Sequence, residues 1–151
     1  MLNSHTLNRC RLSAFAATAL LFVVGCSTIE PKTEQMVSVH EVMVSIITPA
    51  TDTIWAAEDP QSDEEWQQIE FAANTVIVAA TQVKQGGSGP KDMQWASETG
   101  WQQFADMIIN AAIEARKAAR NKNIEAVFEA GSILYPPCEE CHLQYHPGFQ
   151  Q

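Results

Sequence analysis

The amino-acid sequence predicts an all-α domain in which four helices form an up-down bundle. From residue 34 onward, apolar residues recur at helical spacing in four stretches, and no stretch shows the sustained alternation of a strand. Short connections join these stretches, and amphipathic helices with short connections are typical of bundles. The predicted domain covers residues 34–151, which is enough chain for one hydrophobic core.

The first helical stretch covers about residues 34–57. Pro49 is expected to break or kink it, and Thr48 is placed to cap a second segment that runs through Asp52 to Trp55. A kinked helix and two short helices both fit this pattern. The apolar stripe of the stretch consists of Met36, Val39, Met43, Ile46 and Ile47.

The second and third stretches have clear boundary signals. Ser62 and Glu65 form a predicted capping box at the start of the second stretch, in which each side chain bonds the other's backbone N–H group. The Gly-Gly-Ser-Gly-Pro segment at residues 86–90 ends it. The third stretch lies between Met93 and Lys122, and its acidic start and basic end suit the helix dipole.

Asn123 is expected to cap the fourth stretch, and Pro136-Pro137 is expected to interrupt it. We place Pro137 at the first helical position of a new segment, where its missing N–H costs nothing. That new segment would carry the last two cysteines of the chain.

The sequence Cys-Glu-Glu-Cys-His at residues 138–142 is the most specific functional signal. On a helix, Cys138, Cys141 and His142 are three and four positions apart, so they project from one face. Two thiols on one face can add to the vinyl groups of a porphyrin, and the adjacent imidazole can reach its iron. C-x-x-C-H is the attachment signature of c-type haem. The pattern predicts one covalent haem c, with Cys138 and Cys141 as thioether residues and His142 as proximal iron ligand.

Three other chemistries could use the same cluster. A thioredoxin-like redox pair belongs at a strand-to-helix junction, and no such junction is predicted. A structural zinc site needs four ligands, and only distant His40 could complete a set made of the two cysteines and either His142 or His146. A plain disulfide between residues three apart closes a small loop and stabilises little.

Residues 1–25 have the layout of a secretory signal peptide. Arg9 and Arg11 precede an apolar run at residues 12–24, which is too short to span a membrane comfortably. The segment Val23-Val24-Gly25-Cys26 resembles a bacterial lipoprotein box, which implies cleavage before Cys26 and lipidation of its sulfur. We therefore expect an exported, periplasm-facing protein with a polar tether at residues 26–33. Ser27 follows the cysteine where an inner-membrane protein would have Asp, which favours the outer membrane.

The chain is acidic, with 9 Lys and Arg against 18 Asp and Glu and a formal net charge of −9. An acidic surface repels phosphate backbones, so nucleic acid is not an expected partner. A basic redox partner protein fits this charge.

The sequence C-x-x-C-H-x-x-Y, formed by Cys138, Cys141, His142 and Tyr145 on the last helix of an all-helical exported domain, resembles the cytochrome c-prime family. These are the class II c-type cytochromes. The resemblance covers about residues 34–147 and implies a four-helix bundle with haem near one end and histidine as proximal ligand. It also implies that a homodimer can form through the first two helices. The chain departs from the family at His146, where Arg or Lys is usual, at the double proline and in its lipid anchor.

The resemblance further implies that the first helix faces the other side of the iron. Members with an apolar residue there bind small gases, whereas members with methionine there carry electrons, and a thioether ligand raises the reduction potential. Met43 is the first candidate for the sixth ligand, followed by His40 and then Met36, although methionine on an apolar stripe is also a common core residue. We predict a non-enzymatic electron carrier. The alternatives are a gas-binding haem protein or sensor, and a structural envelope lipoprotein with a disulfide.

Overall fold

The computed structural model describes residues 37–146 and Gly148. The expectations for the signal peptide, for the tether with its lipidated Cys26 and for Met36 lie outside the described residues. Within them, every regular element is helical and no strand occurs, which confirms the all-α prediction. Among these residues, no helix has both the length and the apolar character needed to cross a membrane.

The described elements follow one another through short turns and two longer loops, at residues 56–62 and 86–91. In chain order they are α1 (Val39–Val42), a π-helical turn (Met43–Ile47), α2 (Thr48–Trp55), α3 (Asp63–Gln85), α4 (Asp92–Ala96), α5 (Thr99–Arg120) and α6 (Ile124–Tyr145).

The first three elements form one uninterrupted helical run over residues 39–55. Proline clashes with the turn before it, and here the turn before Pro49 is π-helical, with wider hydrogen-bonded rings than an α-helix. The run therefore passes Pro49 without separating into two helices. The capping role predicted for Thr48 is wrong, because Thr48 lies within the run and no side-chain hydrogen bond caps the start of α2.

The single helix predicted between Met93 and Lys122 is also wrong, since this segment contains α4 and α5. Glu98 has extended backbone angles and precedes the first turn of α5. The side-chain amide of Gln102 donates to the backbone carbonyls of Lys84 and Ala96 at 2.8 and 2.7 Å. These carbonyls lie at the ends of α3 and α4, where the helix itself no longer supplies a hydrogen-bond donor.

The interruption predicted at Pro136-Pro137 does not occur, because α6 continues through both prolines. Each proline removes the hydrogen bond to the carbonyl four residues earlier, here those of Ser132 and Ile133. Both of those residues are exposed, so water can satisfy their carbonyls. Pro137 is itself fully buried, and this burial offsets part of the lost hydrogen bonding.

The predicted caps at the other helix starts are confirmed. Ser62 accepts from the backbone of Glu65, whose carboxylate accepts from the backbone of Ser62 in return. The side chain of Asn123 accepts from the backbone N–H of Ala126.

Ion pairs between helices fix the directions of the long helices. Lys84 pairs with Asp106 and Arg120 pairs with Glu70, so α3 and α5 run antiparallel. Because a turn of three residues joins them, α5 and α6 are antiparallel as well.

Two apolar clusters make up the core of the described residues. The larger one is rich in alanine, contains the fully buried Ile54, Val76, Val127 and Leu134, and joins α2, α3, α5 and α6. The second cluster lies where the start of the first helical run meets the end of α6. It contains Val39, Val42, Ile47, Ala79, Val83, Trp101, Cys141 and Tyr145. This second cluster supports the candidate site.

Candidate functional site

An open groove of about 640 Å³ lies against the second cluster. This volume is within the range of about 300–1,000 Å³ that is usual for cofactor and small-molecule sites. One wall comes from the first helical run and the other from the last turn of α6, with the loop before α4 and two tryptophans between them. The lining residues are Ser38, Val39, His40, Met43, Val44, Thr48, Gly89, Pro90, Lys91, Asp92, Trp95, Trp101, Cys141, His142, Tyr145 and His146.

The groove contains two of the three residues of the predicted haem-attachment motif. Cys141 is buried and His142 is half-buried, and both line the groove. Cys138, one turn earlier on α6, does not line it. The Sγ atom of Cys138 donates to the carbonyl of Leu134 at 3.2 Å, and its side chain packs against the larger cluster. The structure therefore brings Cys141 and His142 to the groove and leaves the Cys138 sulfur turned toward the core.

Both thiols are kept protonated by burial. Neither cysteine is in a disulfide. Burial raises the pKa of Cys138 to about 11, and burial together with the neighbouring Cys138 raises that of Cys141 to about 12. Reactive Cys-x-x-Cys pairs have lowered pKa values because their surroundings stabilise the thiolate. The environment of these cysteines is the opposite of the one a redox pair needs.

We expect the two thiols of the folded, haem-free chain to react slowly with iodoacetamide. With the pKa of Cys138 raised from 9 to about 11, its thiolate fraction at pH 8 falls by about 100-fold. Mass spectrometry can assign the label to each cysteine, and the urea-denatured chain is the control that should react at an ordinary rate. Rapid alkylation at pH 7 in the folded chain would contradict this result and favour the redox pair.

His142 has the protonation state that metal binding requires. Burial lowers its pKa, and the nearby His146 lowers it further. The two imidazole rings lie 6.3 Å apart between centroids. A neutral imidazole carries the free lone pair that binds a metal, so His142 is a suitable ligand at neutral pH.

The two described candidates for the sixth ligand lie on the wall formed by the first helical run. Met43, the first residue of the π-helical turn, is half-buried and packs against the second cluster. It also lines a narrow cavity that it shares with Trp101 and Cys141, with room for one water molecule at most. His40 is exposed and lies on the same wall. Met43 is thus the more enclosed of the two.

An aromatic cluster of Trp95, Trp101 and Tyr145 closes the inner side of the groove. Trp101 is stacked on Trp95 at 5.7 Å and meets Tyr145 edge-on at 5.0 Å. The hydroxyl of Tyr145 donates to Glu98 Oε2 at 3.1 Å, and the indole of Trp101 donates to the carbonyl of Val83 at 2.9 Å. These bonds hold the rings in place. The two tryptophans are brought together by the break between α4 and α5, which sequence periodicity did not reveal.

No three His, Cys, Asp or Glu side chains within residues 37–146 are placed to hold a metal ion together. The zinc alternative needs four such ligands. Haem iron takes only its axial ligands from the protein, so a haem site does not require such a cluster.

Comparison of the chain with protein-family models, with curated proteins and with solved structures returns no match.

Proposed function

We propose that this protein is an exported monohaem c-type cytochrome that passes single electrons in the periplasm. One observation carries the proposal. Cys141 and His142 of the C-x-x-C-H motif line an apolar groove of cofactor size, and Met43 and His40 line the same groove from another helical run.

We also propose that the domain is an up-down four-helix bundle of the cytochrome c-prime type. Its four helices would be the run over residues 39–55, α3, α5 and α6, with α4 as part of a connection. The antiparallel contacts of α3 with α5, and of α5 with α6, support this arrangement.

The residues of the groove have distinct parts in this proposal. Cys138 and Cys141 would hold haem c through two thioether bonds, and His142 would be the proximal iron ligand. To reach the groove, the Cys138 side chain must turn away from the Leu134 carbonyl. When bound, the haem supplies a centre that gains and loses one electron. The apolar side chains of the lining would shield the bound haem from part of the solvent, and a Met43 thioether would favour the reduced state.

Gas binding is the second candidate function, and the composition of the wall around Met43 favours it. Val39 and Val44 line this wall beside Met43. If an apolar side chain faced the iron, the iron would stay five-coordinate and open to a small gas.

A spectrum of the reduced wild-type protein separates the two functions. We expect sharp low-spin bands that carbon monoxide barely alters, because Met43 fills the sixth position. The same sample denatured in urea is the control, since unfolding releases the methionine and should allow carbon monoxide to bind. Rapid and complete binding by the untreated protein would contradict electron transfer through a six-coordinate haem.

We further propose that the lipid on Cys26 anchors the domain to the outer membrane, facing the periplasm. A diacylated cysteine binds membranes durably, whereas one acyl chain binds only marginally. Cys26→Ser should therefore move the protein from the membrane fraction to the soluble periplasmic fraction, as an immunoblot of the two fractions can measure. Ser27→Ala is the matched control and should stay with the membrane. A Cys26→Ser variant that remains in the membrane fraction would contradict the anchor.

We also propose a basic redox partner protein. Removal of residues 1–25 takes away Arg9 and Arg11, so the mature chain has 7 Lys and Arg against 18 Asp and Glu, a net charge of −11 that attracts a basic surface.

A further inference from the structure

The carboxylate of Asp92 is buried where the loop after α3 meets the start of α1. Its exposed fraction is 4%, and no other charged residue of the described chain is buried to that degree. A buried carboxylate is stable only when hydrogen bonds replace its hydration. Asp92 Oδ2 accepts from the backbone N–H of Val39 and from that of Gly89, each at 2.8 Å. This oxygen therefore joins segments that lie 53 residues apart in the sequence.

The Val39 N–H belongs to the group of donors that the first turn of a helix leaves without an intrahelical partner. Ser38 caps the same turn by accepting from the backbone of Glu41. Asp92 satisfies a different donor of that turn, and its negative charge is favourable at this end of the helix dipole. The start of α1 is thus held by a cap that comes from another part of the chain.

The loop before Asp92 approaches α1 so closely that only glycine fits. A Cβ atom on Gly87 would lie 2.6 Å from the carbonyl oxygen of Val37 and 2.9 Å from the backbone nitrogen of Val39. A Cβ atom on Gly89 would lie 2.6 Å from Asp92 Oδ1. The two glycines allow the carboxylate and the helix start to meet.

We propose that Asp92 is a positioning residue that fixes the Met43 wall of the groove. Val39 begins this wall, His40 follows it directly, and Met43 lies one turn further along. α1 is the first turn of the helical run over residues 39–55, and hydrogen bonds within the run do not hold this turn to the loop after α3. Two hydrogen bonds make that connection, one from the backbone N–H of Val39 to Asp92 and one from the backbone N–H of Ser88 to the carbonyl of Val37. Because the bond to Asp92 acts on the helix itself, it sets how far Met43 reaches into the groove. The part of this inference that concerns an iron ligand rests on the proposed function.

The test compares Asp92→Ala and Asp92→Asn with Ser62→Ala in the full-length protein. Ser62 also accepts from a backbone N–H at a helix start, but through a neutral hydroxyl at α3 and away from the groove. Two readouts are needed. Amide hydrogen exchange at Val39 reports the hydrogen bond, and carbon monoxide binding by the reduced protein reports the sixth position.

We expect Asp92→Ala to speed exchange at the Val39 amide by about tenfold or more, the size expected from losing a hydrogen bond to a charged group. We also expect a larger fraction of the haem to bind carbon monoxide. Asp92→Asn keeps an acceptor oxygen, so both its exchange rate at Val39 and its carbon monoxide binding should lie between those of the wild type and of Asp92→Ala. Ser62→Ala should change neither one. If Asp92→Ala fails to fold, Asp92→Asn and Gly87→Ala disturb the same contact and provide the same two readouts.

Unchanged exchange at Val39 in the Asp92 variants would overturn the anchoring of α1. Faster exchange at Val39 with unchanged carbon monoxide binding would overturn the positioning of Met43. A wild-type protein without covalent haem would overturn the proposed function instead. In that case the exchange measurement, which needs no haem, still decides whether Asp92 holds α1.

Discussion

Replacing both Cys138 and Cys141 by alanine should abolish covalent haem in cells with intact haem-maturation machinery. The reason is chemical, because thioether bonds to a porphyrin need sulfur and the predicted domain has no other cysteine. Each single replacement should leave one bond. Intact mass spectrometry after acid–acetone extraction measures the result, and we expect the wild-type chain to keep the mass of one haem and the double variant to lose it.

A matched control for these variants lies on the same turn of α6. Leu143 is 53% exposed and does not line the groove, so Leu143→Ala should keep its haem. If the double cysteine variant kept haem through extraction, the attachment residues would be misassigned. If Leu143→Ala also lost haem, the loss would reflect disturbance of α6 and not the missing sulfurs.

Replacing Met43 by alanine should turn a low-spin cytochrome into one that binds carbon monoxide rapidly. Without the thioether the sixth position opens, and the reduction potential should fall because a thioether ligand raises it. Met43 is half-buried against the second cluster, so the variant should also lose about 2 kcal/mol of unfolding free energy, at the low end for such truncations. Absorption spectra with and without carbon monoxide measure the ligand change, and urea unfolding measures the stability.

Two controls distinguish Met43 from its neighbours on the same helical run. Ile46 is 38% exposed and does not line the groove, so Ile46→Ala should keep the low-spin spectrum. His40→Ala should keep it as well. A low-spin spectrum that survives in Met43→Ala and disappears in His40→Ala would identify a bis-histidine site and contradict our assignment.

Local signals in the sequence predicted the helical fold and most of its boundaries. The capping box at Ser62 and the cap at Asn123 depend on residues three positions away, and both are confirmed. The prediction at Pro136-Pro137 is wrong because the effect of a proline on a helix depends on what surrounds it in the fold. Ser132 and Ile133, whose carbonyls lose their partners, are exposed residues, and burial of Pro137 offsets part of the lost hydrogen bonding.

The parts of the site that escaped prediction depend on contacts between distant segments. The side chain of Gln102 donates to the carbonyls of Lys84 in α3 and Ala96 in α4, and the residues directly before Ala96 and Gln102, Trp95 and Trp101, are stacked on each other. Asp92 meets the backbone of Val39 across 53 residues. Neither contact can be predicted from the periodicity of a single helix. The spacing of Cys138, Cys141 and His142, in contrast, is local; Cys141 and His142 line one groove, whereas the Cys138 sulfur lies apart from it, against the larger cluster.

The most direct test of the central claim is a haem stain of the wild-type chain after denaturing gel electrophoresis, from cells that mature c-type cytochromes. Our account predicts a coloured band at the position of this protein, because thioether bonds survive denaturation whereas axial ligation does not. A colourless band from such cells would contradict the account.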